Sequence, residues 1–297
     1  MRTAMTAAAV LLYAAAASAA PPPAPLDPAK PADAVQIMKR LQCGEADGKP
    51  AVYHWAGRIW ARTPGEPDKL LFTGEGMNIR QCVSVSDPQR GLGFRQVSRE
   101  VMLFLDPKTG EVLREWQNPW TGERVDVMHI ANDPVNSRPM LPMGADGRPF
   151  ALPVSRNGDW VQVATEVPLF YENPLGGSYQ EFVGNKYHAM EIFDFSAKAD
   201  ELLGPRSATS YPTVSWVRVS EWMPWMKMGG RPGLLVFNAV GAKLKRYDEL
   251  PAVLKTEIAA RYPEYTAPPP GDDQRPNATT WTVFKAKIDA DRTKSGR

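Results

Sequence analysis

Few side chains in this chain can exchange protons near neutral pH. Its 297 residues include three histidines, His54, His129 and His188. In a strand, His129 shares a face with Val125, Val127 and Ala131, where burial lowers the pKa of an imidazole and leaves a neutral base or donor. Asp133 follows in Asn132-Asp133-Pro134-Val135-Asn136 and is held extended by the proline, so its carboxylate is expected to lie over a sheet end near His129 as an acid–base partner. Glu191 is the second carboxylate expected to serve His129 in such chemistry. Together with His188 it suggests a metal pair, but three residues apart on a strand puts the two on opposite faces, and no metal site is expected. Asn78 and Arg80 lie two apart on one strand face, a spacing suited to a paired hydrogen-bond contact with a carboxylate or hydroxyl. Arg99 and Glu100 point to opposite faces, and only one of them reaches the interior. With Asn118, Trp120, His129, Asn132 and Asp133, residues Asn78, Arg80 and Arg99 make up the expected ligand contacts. Trp222, Met223, Trp225, Met226 and Met228 form a soft apolar patch, either a cavity wall or an exposed contact surface.

The elements that must position these groups read as β. Two similar turns, Asp106-Pro107-Lys108-Thr109-Gly110-Glu111 and Asn118-Pro119-Trp120-Thr121-Gly122-Glu123, are flanked by alternating apolar and polar residues. Proline presets φ, Asp or Asn bonds its own backbone, and glycine takes the positive φ of a bulged hairpin, which predicts a three-stranded meander from Arg99 to Ala131. Further strands are expected at Val52–Arg62, Leu70–Thr73, Gly76–Ser86, Trp160–Tyr171, Tyr179–Phe195, Thr213–Trp222 and Gly233–Lys245. Helical spacing recurs after Asp33, after Asp248 and around Trp281, Phe284 and Ile288, with both aspartates expected as N-caps. Asn132–Asn157 is expected as a long loop. The resulting fold class is all-β, mainly antiparallel: a meander, calycin-like barrel or strongly curved sheet with a few peripheral helices. The organisation expected is a signal peptide at 1–19, cleaved near Ala19, a Pro/Ala-rich linker at 20–32, one β-rich domain at 33–265, and a Pro-rich linker and tail at 266–297.

A net charge of +2, with basic residues spread along the chain, argues against nucleic acid or an anionic membrane surface as partner. After the apolar leader no stretch is long enough to span a membrane, so a periplasmic or secreted chain is expected. In such a compartment Cys43 and Cys82, the two cysteines present, are expected to pair. No phosphate loop, nucleophile elbow or HExxH pattern occurs, and no cofactor is expected.

Four separated stretches, Phe72–Arg80, Arg99–Pro107, Trp116–Glu123 and Asn132–Asn136, together and in order resemble a bacterial family known as domain of unknown function 1838. The resemblance covers Val35 to Tyr265; it implies one conserved domain and carries no activity. The meander also resembles calycin barrels, although Trp55-Ala56-Gly57 departs from the lipocalin Gly-x-Trp order. The reading that follows is an exported barrel binding a small apolar or aromatic molecule inside. Its alternatives are a cofactor-independent lyase, isomerase or hydrolase using His129 with Asp133 or Glu191, and an envelope interaction protein presenting Trp120 and the Met/Trp patch.

Overall fold

A computed structural model of the chain describes residues 24–182 and 186–295; the expected signal peptide lies outside the described residues. Strands β1 (Ala51–Arg62), β2 (Lys69–Asp87) and β3 (Gly91–Leu105) form one antiparallel meander, extended at its edge by the short β6 (Ile130–Asn132). A second meander runs through β7 (Val154–Asn157), β8 (Trp160–Glu172), β9 (Lys186–Lys198), β10 (Thr213–Ser220) and β11 (Leu234–Leu244). Pairing of β1 with β11 fuses the two into one nine-stranded sheet of order β6-β3-β2-β1-β11-β10-β9-β8-β7. The sheet curls strongly, because residues of β2 and β3 and residues of β8 and β9 enter one hydrophobic cluster around the first helix. It does not close: β6 and β7 remain edges, so the barrel expectation is replaced by an open curled sheet.

Several expectations are corrected. The segments expected as separate strands at Leu70–Thr73 and Gly76–Ser86 are one continuous β2, because Gly74 and Gly76 mark close approach and not a break. A Cβ on Gly76 would lie 2.3 Å from the Trp55 indole and one on Gly74 2.4 Å from Met102. The meander from Arg99 to Ala131 is interrupted. Its two turns form, but β4 (Glu115–Gln117) and β5 (Arg124–Asp126) leave the sheet as a separate ribbon, and β6 takes the place beside β3. The long loop after β6 is not free. Val135 and Ser137 donate backbone hydrogen bonds to Ser98 and Gln96, and Met140 bridges Phe94, which covers most of the β3 edge.

Helix α1 (Pro31–Gln42) starts three residues earlier than expected, with Lys30 in place of Asp33 at the N-cap, Pro31 at the first position and Asp33 inside the first turn. It plugs one end of the concave face with Ala34, Ile37, Met38 and Leu41, and the Cys43–Cys82 disulfide ties its exit to β2. Helix α2 (Ala199–Leu202) is a single turn after β9. Helix α3 (Ala252–Arg261) begins after Pro251, not at Asp248, and lays Leu254 and Ile258 on the convex face over Met77, Ile79, Val101 and Leu103. The proline-rich stretch after it is an ordered strap: Gln81, Arg95 and Arg99 donate to carbonyls of Pro269, Gly271, Asp273, Glu264 and Ala267. Helix α4 (Thr280–Lys294), capped by Thr279, buries Trp281 and Phe284 in the main core. The Met/Trp segment at 222–228 is not an exposed patch. Trp222, Met223, Trp225, Met226 and Met228 are all buried and plug the second end of the curl.

Candidate functional site

The register decides which side chains share the concave face. Asn78 lies opposite Tyr53 on one side and Glu100 on the other, and Glu100 lies opposite Asn132. On the other half of the sheet, Phe237 faces Arg218, Arg218 faces Glu191, and Trp216 faces Phe193. Period-two alternation therefore places Asn78, Arg80, Glu100 and Asn132 on one wall, and Tyr187, Glu191, Trp216 and Arg218 on the wall opposite. Between the α1 plug and the Met/Trp plug they make a polar layer inside an otherwise apolar curl.

Each wall has its own hydrogen bonds. Asn132 Nδ2 donates to Glu100 Oε1 at 2.7 Å. Arg218 Nη1 donates to Glu191 Oε1 at 2.8 Å, and its Nη2 donates to the Tyr187 hydroxyl. Arg80 Nε donates to Asn78 Oδ1 at 2.7 Å, and its Nη1 to Gln42 and Gln96, while its guanidinium stacks 4.8 Å from the centre of the Tyr53 ring. Burial raises the Glu100 carboxyl above its ordinary range; the bond from Asn132 and the Arg218 and Arg80 charges oppose this, and the Glu191 charge adds to it. Charges on opposite walls thus sense one another. The side chains of Arg218 and Glu191 nevertheless keep 15% and 18% of their surface, and Arg80, Glu100, Trp55 and Phe193 are only half-buried, so the layer is not sealed from solvent.

Trp55 forms an aromatic floor beside the polar layer, edge-on to Trp216 at 6.1 Å, with Phe193 stacked on Trp216. Its indole lies across β2 because Gly76 is its cross-strand neighbour there, and Gly241 is its neighbour on β11. Four buried polar atoms of this region have no hydrogen-bond partner: Trp55 Nε1, Trp216 Nε1, Asn132 Oδ1 and Arg218 Nε. Native interiors rarely leave such groups unmatched.

The expected contacts divide sharply. Asn78, Arg80, Asn132 and Glu191 come together on the concave side. Arg99 faces the opposite way: its Nε sits 3.0 Å from Asp133, whose carboxylate also takes Arg275 at 2.8 Å, so Arg99 and Asp133 latch the strap. His129 is not brought to Asp133 or Glu191. Its Nδ1 accepts the Phe104 N–H at 3.1 Å and its ring stacks on Phe104; burial, with a smaller contribution from Arg114, lowers its pKa to about 4. Asn118 is fully buried and holds its own turn, accepting from Trp120 and Thr121 and donating to Met226 O. Trp120 packs on Trp116 and Trp222 and donates to Glu66. Arg218, Tyr187, Trp55 and Trp216 were not among the expected contacts. The signal for Arg218 was present, since Val214, Trp216, Arg218 and Ser220 alternate in one strand and put a cation on an apolar face.

Two surface depressions lie away from this layer, one between α4, β5 and Lys227, the other on the convex face around His54 and Asp194. Neither gathers enclosed charges. Among the described residues no cluster of His, Cys, Asp and Glu has metal-ligating geometry. The molecule is a curled antiparallel sheet, plugged at both ends, with an aromatic and charged layer between. Residues 48–288 match the family described as protein of unknown function (DUF1838), and the chain belongs to that family. No curated protein matches the chain.

Proposed function

We propose that the protein binds a small molecule with an aromatic or apolar body in the layer between the two walls. The observation that supports this best is the convergence of Glu100 and Asn132 with Glu191, Arg218 and Tyr187 from opposite halves of the sheet, beside Trp55, Trp216 and Phe193. Enclosing charges costs free energy that a fold bears more readily where they serve a ligand. Aromatic walls with a few convergent polar groups are the usual lining of small-molecule sites. Export to an oxidising compartment fits the same reading, since the chain's two cysteines are joined. Among the described residues no helix is long and apolar enough to cross a membrane.

Native mass spectrometry of protein purified from its own cells tests the proposal. The expected result is a retained small molecule that quenches tryptophan fluorescence on rebinding and is lost in Arg218→Gln. A chain that retains nothing, and whose fluorescence answers no aromatic acid, amide or alcohol at millimolar concentration, overturns it.

The second reading, a cofactor-independent enzyme, now rests on Glu100 and Glu191 in place of His129 and Asp133. A carboxyl whose pKa burial raises on one wall and an ion-paired carboxylate on the other would divide the acid and base roles. Recovery of the retained molecule in two interconverted forms from the native chain, but in one form from Glu191→Gln, favours it. The interaction reading loses its main support because the Met/Trp segment is buried.

A further inference from the structure

Three cations sit inside the curl near the α1 plug: Arg40, Arg80 and Lys243. Among the described residues, none of them contacts a carboxylate. Two are consumed by chain ends. Lys243 Nζ reaches the carbonyls of Arg40, Leu41 and Cys43 and the Thr209 hydroxyl, closing the exit of α1. Arg40 Nη1 donates to Leu202 O and Gly204 O at 2.8 and 2.7 Å, closing the exit of α2. Such carbonyl capping is what cations near helix C-termini do.

Arg80 has no such duty. Its Nε and Nη1 bond only to the neutral amide oxygens of Asn78, Gln42 and Gln96, and Nη2 has no partner among the described residues. The nearest acid on its wall, Glu100, spends Oε1 on Asn132 and is itself driven toward its neutral form by burial. The three amide oxygens orient the guanidinium without neutralising it, while Tyr53 supports one face of it. Among the described residues this part-buried cation has no carboxylate in contact to repay its desolvation, and Glu100 acts on it only from a distance. A guanidinium with an open edge matches a carboxylate in geometry as well as charge.

We infer that Arg80 is the anchor for the carboxylate of an organic acid, whose apolar or aromatic body extends along Trp55 toward Trp216 and Phe193. This rests on the interior site proposed above and assigns its ligand class. Asn78, Gln42 and Gln96 are positioning residues, since they fix the guanidinium and leave its outer edge open.

The test uses three probes of nearly equal size on the intact disulfide-bonded chain: indole-3-acetate, indole-3-acetamide and tryptamine, titrated by calorimetry at pH 7. The expected order is acetate over acetamide by tenfold or more, with tryptamine weakest. Arg80→Gln should bring acetate down to the affinity of acetamide while leaving acetamide unchanged, and Arg80→Lys should restore part of the preference. Equal binding of acetate and acetamide by the native chain overturns the anchor and leaves the interior site standing. Stronger binding of tryptamine overturns it in favour of recognition by the carboxylates. Binding of none of the three overturns both proposals. The native-chain series decides these outcomes even if Arg80→Gln fails to fold, and an acetate preference that persists in a folded Arg80→Gln chain also overturns the anchor.

Discussion

Burial governs the titration of two side chains in opposite senses. His129 Nε2 has no hydrogen-bond partner among the described residues, its ring stacks on Phe104, and its pKa falls from 6.5 to about 4. Below pH 6.5 the unfolded chain takes up a proton that the folded chain refuses, so this contribution is present above pH 6.5 and is lost as pH falls toward 4. The loss is on the order of 3 kcal/mol. Urea midpoints between pH 7 and pH 4 should fall accordingly, and His129→Gln should remove that part of the slope. Glu100 behaves oppositely. Its folded pKa lies above 4.5, so its contribution is complete below pH 4.5 and is lost as pH rises through the folded value. Glu100→Gln should make the protein more stable relative to the native chain as pH increases. At this scale the sequence was readable where period two settled the matter: Asn78 with Arg80, and His188 opposite to Glu191. It was not readable where two neighbours competed for the inside, as Arg99 and Glu100 did, because apolar residues flank both faces of β3 and its convex side is covered by α3 and the strap.

Elements obtain their meaning from what they touch. Gly74 and Gly76 look like strand breakers, yet they lie within β2 because Trp55 and Met102 occupy the space their side chains would need. Gly76→Ala should displace the Trp55 indole, cost about 1–3 kcal/mol as an overpacked core site does, shift the tryptophan emission and weaken any ligand of the interior. Unchanged emission would mean that the floor is not set by this contact. The Pro-x-Thr-Gly-Glu turns illustrate the same limit. Both form as their residues dictate, with Gly110 and Gly122 at positive φ, but the strand pair joined by the second leaves the sheet because Asn118 and Trp120 are drawn to the Met/Trp plug.

For the molecule as a whole, the two meanders are held together by β1 with β11, by the plugs at either end and by α4. Trp281 packs 4.3 Å from the Tyr187 ring and lies 6.0 Å from the Arg218 guanidinium, so the C-terminal helix backs the wall that carries Glu191. Trp281→Ala should cost about 3–5 kcal/mol, measured by thermal or urea unfolding, and should loosen that wall, raising hydrogen exchange in β9 and β10 more than in β2 and β3. A uniform rise across both halves would mean that the curl opens as one unit.

The sequence by itself determined the antiparallel strands, the two turns and the face of each side chain within its own strand, because these follow from backbone sterics, turn chemistry and a period of two, and it pointed to the cysteine pair because two cysteines stand in a chain expected to be exported. Only the tertiary structure decided that the sheet curls without closing, that the Met/Trp segment and the C-terminal helix are core, and that Arg99 and Asp133 fasten a strap. It alone brought Glu100 and Glu191 from separate meanders to facing walls. Such pairings depend on long-range packing between elements whose local signals are silent about one another.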